Sequence, residues 1–271
     1  MSTQLKSENG QGASLVSMQH ICKTFNPGSV NEVVLFQDFN LDIAAGQFVS
    51  VVGSNGSGKT TILNLLCGSV PLDSGSITVK GQEVSGLKEF QRSRFIGRVF
   101  QDPSKGTCPD LSILENMALA ENKGKPFGLS MGVNRRRADF YRTQLEKLHL
   151  GLEDKLHLQV GSLSGGQRQA LALLISTMTP IDLLILDEHT AALDPKSSET
   201  VMELTDQIVR EKHLTTLMVT HNLKFAIRYG NRLLMMHRGE CVIDAADDQK
   251  AAMDTDDLLN KFNEISLEVG N

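Results

Sequence analysis

Apolar positions fall into short strand-like runs near both ends of this chain, with a helical texture between them. Residues 15–21 and 33–43 read as strands separated by the turn-forming Asn26-Pro27-Gly28-Ser29. Residues 48–52 predict a strand that runs straight into a glycine-rich loop, and a helix follows over 61–67. Further short strands are predicted at 76–79 and 95–100. From about 102 to 161 helical spacing takes over, as at 112–121 and 135–148, which predicts a helical lobe inserted in a strand-rich core. A helix over 165–177 comes next. Leu183-Leu184-Ile185-Leu186 is apolar throughout, as expected of a parallel-sheet strand covered on both faces, and 217–220 repeats that texture. Residues 233–236 and 240–243 predict a hairpin around Arg238-Gly239, and Leu258, Leu259, Phe262 and Ile265 share one face of a short terminal helix. The expected organisation is an α/β fold with a flexible tail at 1–13, a main domain at 14–245 and a helical tail at 246–271.

Composition narrows the function classes. The 271 residues carry a net charge of −5, so no global basic field is available for nucleic acid. Arg135-Arg136-Arg137 is a local basic run of the kind found on solvated helix faces. Cys22, Cys67, Cys108 and Cys241 form no C-x-x-C pair, which points away from a zinc or redox motif and suits a reducing compartment. No apolar run approaches the ~20 residues needed to span a bilayer. Residues 1–12 are polar and lack the apolar stretch of a signal peptide.

Three segments carry chemistry. Gly53-Ser54-Asn55-Gly56-Ser57-Gly58-Lys59-Thr60 matches the phosphate-loop pattern G-x-x-x-x-G-K-[ST] in full. Its glycines let backbone N–H groups turn inward around phosphate oxygens, and the following helix points its positive end at the same anion. In this pattern Lys59 reaches the β- and γ-phosphates and the Thr60 hydroxyl ligates Mg²⁺. The apolar strand at 183–186 ends in Asp187-Glu188. Asp187 is poised to hold Mg²⁺ and Glu188 to orient or deprotonate an attacking water. The third segment, Leu163-Ser164-Gly165-Gly166-Gln167, opens a helix and so forms a second anion site on a chain that needs only one for a single nucleotide.

Taken together, these motifs resemble the ATP-binding-cassette (ABC) family, in which Leu-Ser-Gly-Gly-Gln is the signature sequence. The resemblance covers about residues 14–245. It implies a P-loop NTPase core with a parallel sheet, an antiparallel β-subdomain and an inserted helical subdomain. It also implies that Leu163, Ser164, Gly165, Gly166 and Gln167 cap the γ-phosphate of ATP held by a partner cassette. Gln101 resembles the glutamine that touches Mg²⁺ or the attacking water and senses the membrane subunit. Asp194 resembles the D-loop aspartate, and His221 the switch histidine that contacts the γ-phosphate. Phe25 takes the position where an aromatic ring, more usually Tyr, stacks on adenine. The implied ATP set is then Phe25, Gly53, Ser54, Asn55, Gly56, Ser57, Gly58, Lys59, Thr60 and Thr61. The implied metal set is Thr60, Gln101 and Asp187, and the catalytic set is Glu188, His221, Lys59 and Gln101. His189 stands where Pro is more usual and is given no role.

With Glu188 present, a hydrolysing cassette is expected, as a homodimer or paired with a similar cassette in the ATP-bound state. Transport is favoured over a soluble repair or translation role, because no long coiled coil and no second cassette is present. Import through separate permease subunits, served indirectly by a solute-binding protein, is favoured over export. The stretches 105–116 and 187–194 resemble a bacterial group paired with permeases like those for branched-chain amino acids, some of whose members serve aromatic amino acids. The expected location is the cytoplasmic face of the inner or plasma membrane.

Overall fold

A computed structural model describes residues 14–125, 132–256 and 258–261. The expectations for 1–13, Phe262 and Ile265 lie outside the described residues. The chain opens with β1 (Ser14–Phe25) and β2 (Val33–Ala44), an antiparallel pair joined across the turn at 26–32. Then come β3 (Phe48–Gly53), α1 (Lys59–Cys67), β4 (Ser74–Val79), β5 (Gln82–Glu83), α2 (Glu89–Arg92) and β6 (Ile96–Val99). The lobe contributes α3 (Ile113–Glu121) and α4 (Ala138–Glu146). It leads into α5 (Gly165–Thr177), β7 (Leu183–Asp187), α6 (Pro195–Glu211) and β8 (Thr215–Val219). The chain closes with α7 (Leu223–Arg228), β9 (Arg232–His237), β10 (Glu240–Ala246) and α8 (Asp247–Ala251).

Two sheets result. One is antiparallel, in the order β2-β1-β4-β5. The other runs β10-β9-β3-β8-β7-β6, with β9 through β6 mutually parallel and β10 antiparallel at the edge. The apolar strand β7 shows why it needs no polar face. Leu183 and Ile185 pack with α1 and the antiparallel sheet, while Leu184 and Leu186 pack with the helices on the opposite side. Each such side chain contributes about 1.5–3 kcal/mol by leaving water.

The lobe departs from its predicted outline. The expected helix at 135–148 is a 3₁₀ turn, Arg135–Arg137, followed by the shorter α4. Tyr141 and Leu145 anchor α4 in the core, and Arg137 lies over the ring of Phe140. At α3, Ser112 caps the helix through its hydroxyl and Glu115 reaches back to the Ser112 N–H, a reciprocal capping box. Arg92, almost fully buried, donates to the carbonyls of Leu65 and Leu66 at the end of α1 and to those of Ser85 and Leu87. It thereby gives the Leu66 carbonyl a partner at a helix end that would otherwise leave it to water, and adds a second donor to the Leu65 carbonyl, which also accepts from the Gly68 N–H at 3.3 Å. No described helix is long and apolar enough to cross a membrane.

Candidate functional site

The parallel strands all deliver their carboxyl ends to one edge of the main sheet, the place where open α/β sheets bind ligands. β3 ends in Gly53, β7 in Asp187, β8 runs on to His221, and β6 runs on to Gln101. Glu188 N–H donates to the Val219 carbonyl at 3.0 Å and Thr220 N–H to the Val51 carbonyl at 3.1 Å, so three strand ends are stitched in register.

The loop after β3 takes a shape only glycine supports at several points. Gly53, Gly56 and Gly58 have φ of 150°, 76° and 104°. A Cβ on Gly58 would meet the Phe36 ring at 2.7 Å, and one on Gly53 would meet the Met236 carbonyl oxygen at 2.2 Å. Lys59 Nζ, buried beneath the loop, donates to the carbonyls of Gly53 and Ser54 at 2.8 Å each. Burial holds the Lys59 ammonium below its ordinary pKa, and the nearby Glu188 charge pulls the other way. Ser57 Oγ is buried and has no hydrogen-bond partner within the protein. Buried polar groups are seldom left so, and a phosphate oxygen in the loop is the partner this geometry fits.

Over the loop lies a cavity of about 330 Å³. Its floor is Asn55 to Thr61, and Glu188 and His221 close one side. His221 Nε2 lies 2.9 Å from Glu188 Oε1. Phe25, Val33 and Leu35 add an apolar part to its lining, and Lys23 Nζ sits 5.5 Å from the Phe25 ring centroid. Glu188 holds a left-handed backbone, φ 48°, an uncommon state for a non-glycine residue at a site of chemistry.

Several predicted residues stand outside this cavity. Asp187 turns its Oδ2 to Arg98, whose NH2 nitrogen lies 2.6 Å away. Gln101 is exposed beyond the end of β6. The carbonyl of the preceding Phe100 accepts from Gln169 Nε2 of α5 at 2.9 Å. Leu163 is buried in the lobe, while Ser164 is exposed and caps α5 reciprocally with Gln167. Asp194 caps α6 by accepting from the Ser197 N–H at 3.0 Å. The signature segment and the segment after Glu188 touch. A Cβ on Gly165 would meet Leu193 at 3.2 Å, and one on Gly166 would meet Ser197 at 3.1 Å.

Sequence reasoning missed several contributors. Val33 and Leu35 were assigned only to a strand, although the turn at 26–32 folds that strand's start back beside Phe25. Gly239, read as a hairpin turn, donates its N–H to the Ser57 carbonyl at 3.0 Å and so supports the phosphate loop. Arg98 and Gln169 carry no motif at all, and their roles exist only in the folded pairing of β6, β7 and α5.

With the loop, the two acidic residues and the signature helix in these places, the chain belongs to the ABC transporter family. The family's sequence profile, described as ABC transporter, matches residues 36–191. The chain is an ATP-binding, ATP-hydrolysing cassette. The tyrosine transport ATP-binding protein of Clostridioides difficile (strain R20291) is 46% identical over 250 residues, covering 92% of this chain and 98% of that one. A dimeric ATP-binding cassette in a post-hydrolysis state, bound to ADP and Pi, superposes with a TM-score of 0.72 at 28% identity, over 85% of this chain and 98% of that one. The ADP conformation of another ABC transporter cassette shares the fold, with a TM-score of 0.78 at 20% identity over 96% of this chain and 100% of that one.

Proposed function

We propose that this cassette energises uptake of an aromatic or similar amino acid, as one of a pair of ATPase subunits bound to separate permease subunits at the cytoplasmic face of the membrane. The observation that carries the solute class is the 46% identity, over nearly the full length of both chains, to a protein of tyrosine transport. Substrate selection itself would lie in the permease and in a solute-binding protein.

Each site residue takes a role in this reading. The amides of Gly53, Ser54, Asn55, Gly56, Ser57 and Gly58, with Lys59, hold the phosphates, assisted by the N-terminal end of α1, which Thr60 and Thr61 occupy. Phe25 stacks on the adenine, with Val33 and Leu35 completing the apolar lining. Thr60, Asp187 and Gln101 would hold Mg²⁺, which supplies charge neutralisation on the β- and γ-phosphate oxygens. Glu188 orients or deprotonates the water. His221, donating from Nε2 to Glu188 Oε1, leaves the other carboxylate oxygen to meet that water and holds the γ-phosphate side of the site closed. Ser164, at the exposed start of α5, presents the N–H groups of Gly165 and Gly166 to the nucleotide of the partner cassette, and Asp194 faces the same junction.

The test is reconstitution with the permease and solute-binding protein that co-purify with this chain. Tyrosine-loaded binding protein should raise ATP hydrolysis in vesicles well above the rate with unloaded protein. A rate raised equally by a non-aromatic solute would remove the aromatic assignment. Gln101→Ala should keep ATP affinity and lose most of the stimulation. Equal loss of basal and stimulated rates would reduce Gln101 to a metal ligand.

A further inference from the structure

Arg98 lies on β6, three residues before Gln101, and faces two regions at once. Its NH2 nitrogen donates to Asp187 Oδ2 at 2.6 Å and to Asn64 Oδ1 at 3.0 Å. The two side chains of the ion pair are only 12% and 15% exposed. Arg98 Nε is buried without a hydrogen-bond partner, so the guanidinium is held chiefly through the Asp187 end. On its other side the guanidinium lies over the Phe100 ring, 4.6 Å from Cζ to centroid. Arg98 and Phe100 together line a groove of about 310 Å³ between the main sheet and the lobe, with Ile175 beside them and Glu89 and Lys123 at its exposed rim.

A guanidinium does not lose its proton in a protein, so Asp187 has a permanent cation on one oxygen and keeps Oδ1 for other use. Such a cation fixes the carboxylate in one orientation. It also repels a dication brought to the same group, strongly so where water is scarce. We propose that Arg98 is a positioning residue that connects the groove to the metal-site carboxylate and sets how tightly that site takes a divalent cation. A change at the groove wall that shifts Phe100 would move the guanidinium, and with it the hold on Asp187. The inference rests on the assignment of Asp187 to the metal, and one arm of the experiment tests that assignment separately.

The experiment is Mn²⁺ binding to the purified full chain, followed by electron paramagnetic resonance with a saturating non-hydrolysable ATP analogue. Nucleotide affinity without metal checks that each variant is folded. Asp187→Asn should weaken Mn²⁺ binding by roughly tenfold or more, since a charged ligand is lost. Arg98→Met should tighten Mn²⁺ binding by roughly threefold or more while lowering kcat, because the competing cation goes and the carboxylate loses its orientation. Arg98→Lys should stay near wild type in Mn²⁺ affinity. Phe100→Ala, which removes only the ring beneath the guanidinium and leaves the backbone that carries Gln101, should shift Mn²⁺ affinity in the same direction as Arg98→Met and add nothing to it in the double variant. If Arg98→Met does not bind nucleotide, Arg98→Gln replaces it as the neutral variant. Unchanged or weaker Mn²⁺ binding in the neutral variant, with Asp187→Asn weakened, overturns the role of Arg98. Phe100→Ala indistinguishable from wild type overturns the link to the groove. Asp187→Asn without effect removes the metal-site assignment instead.

Discussion

His189 and Thr205 meet inside the core, His189 Nε2 to Thr205 Oγ1 at 3.1 Å, directly behind the proposed catalytic glutamate. The Thr205 hydroxyl donates its own proton to the Val201 carbonyl at 2.7 Å. It therefore accepts from His189, which fixes the proton of a neutral imidazole on Nε2. Both residues are almost wholly buried.

Acid should expose this arrangement. Burial pushes the His189 pKa from 6.5 down to about 4. The unfolded chain then binds the proton more readily than the fold does. The stability this buried neutral ring represents is complete above pH 6.5 and is lost as pH falls from 6.5 toward 4. The shift corresponds to about 3 kcal/mol. His189→Gln, which can still donate to Thr205 and does not titrate, should flatten that part of the profile. Urea unfolding of both proteins across this range checks it. Equal acid slopes would show that the ring is not held neutral by the fold.

Glu188→Gln should keep ATP binding and lower turnover by at least about 10²-fold, the range for a lost general base. With hydrolysis blocked, ATP should move the variant from monomer to dimer on a sizing column. Turnover near that of wild type would end the assignment of Glu188 as the group that acts on water.

Ser164 separates two effects. Ser164→Ala loses the hydroxyl that caps α5 and should cost about 1 kcal/mol in thermal or urea unfolding. Ser164→Arg in the Glu188→Gln background should abolish the ATP-dependent dimer, because a bulky cation would occupy the junction with the partner. A dimer that persists would place the signature loop elsewhere.

Arg92→Ala should be among the most damaging changes away from the nucleotide. Four carbonyls lose a shared donor, two of them at the end of the helix that carries the phosphate loop. The Leu65 carbonyl keeps the Gly68 N–H at 3.3 Å and the bonds to Ser85 and Leu87 are only part-buried, so a loss of about 1–3 kcal/mol, chiefly from the Leu66 carbonyl, is expected in denaturant unfolding. Arg92→Lys should recover little, since one ammonium cannot span all four acceptors. Stability close to wild type in the alanine variant would show that water replaces the guanidinium.

Local chemistry was legible where one contiguous segment suffices. The phosphate loop, Asp187-Glu188 and the signature pentapeptide each announce themselves, and the helix Gly165–Thr177 has the bounds its spacing predicts. What stayed hidden depends on distant segments meeting. Arg98 reads as one more polar residue in a short strand until β6 pairs with β7 and brings it to Asp187. Gly239 supports the phosphate loop only because β9 lies beside β3. The predicted helix at 135–148 failed at its start, where three adjacent arginines settle into a 3₁₀ turn and Arg137 pairs with Glu121 instead of extending the helix. Helix α6 carries no motif and is absent from the elements read along the sequence; its importance emerged only with Thr205 found against His189.

The contact of Gly165 and Gly166 with Leu193 and Ser197 has a consequence for timing. The surface proposed to meet a neighbour's nucleotide packs, within the same chain, against residues that follow its own Glu188. In the proposed pair, a rearrangement around one γ-phosphate would loosen that packing and disturb the cap over the other. The two hydrolysis events would then be ordered in time: each chain's own turnover would open or close the gate on its neighbour's.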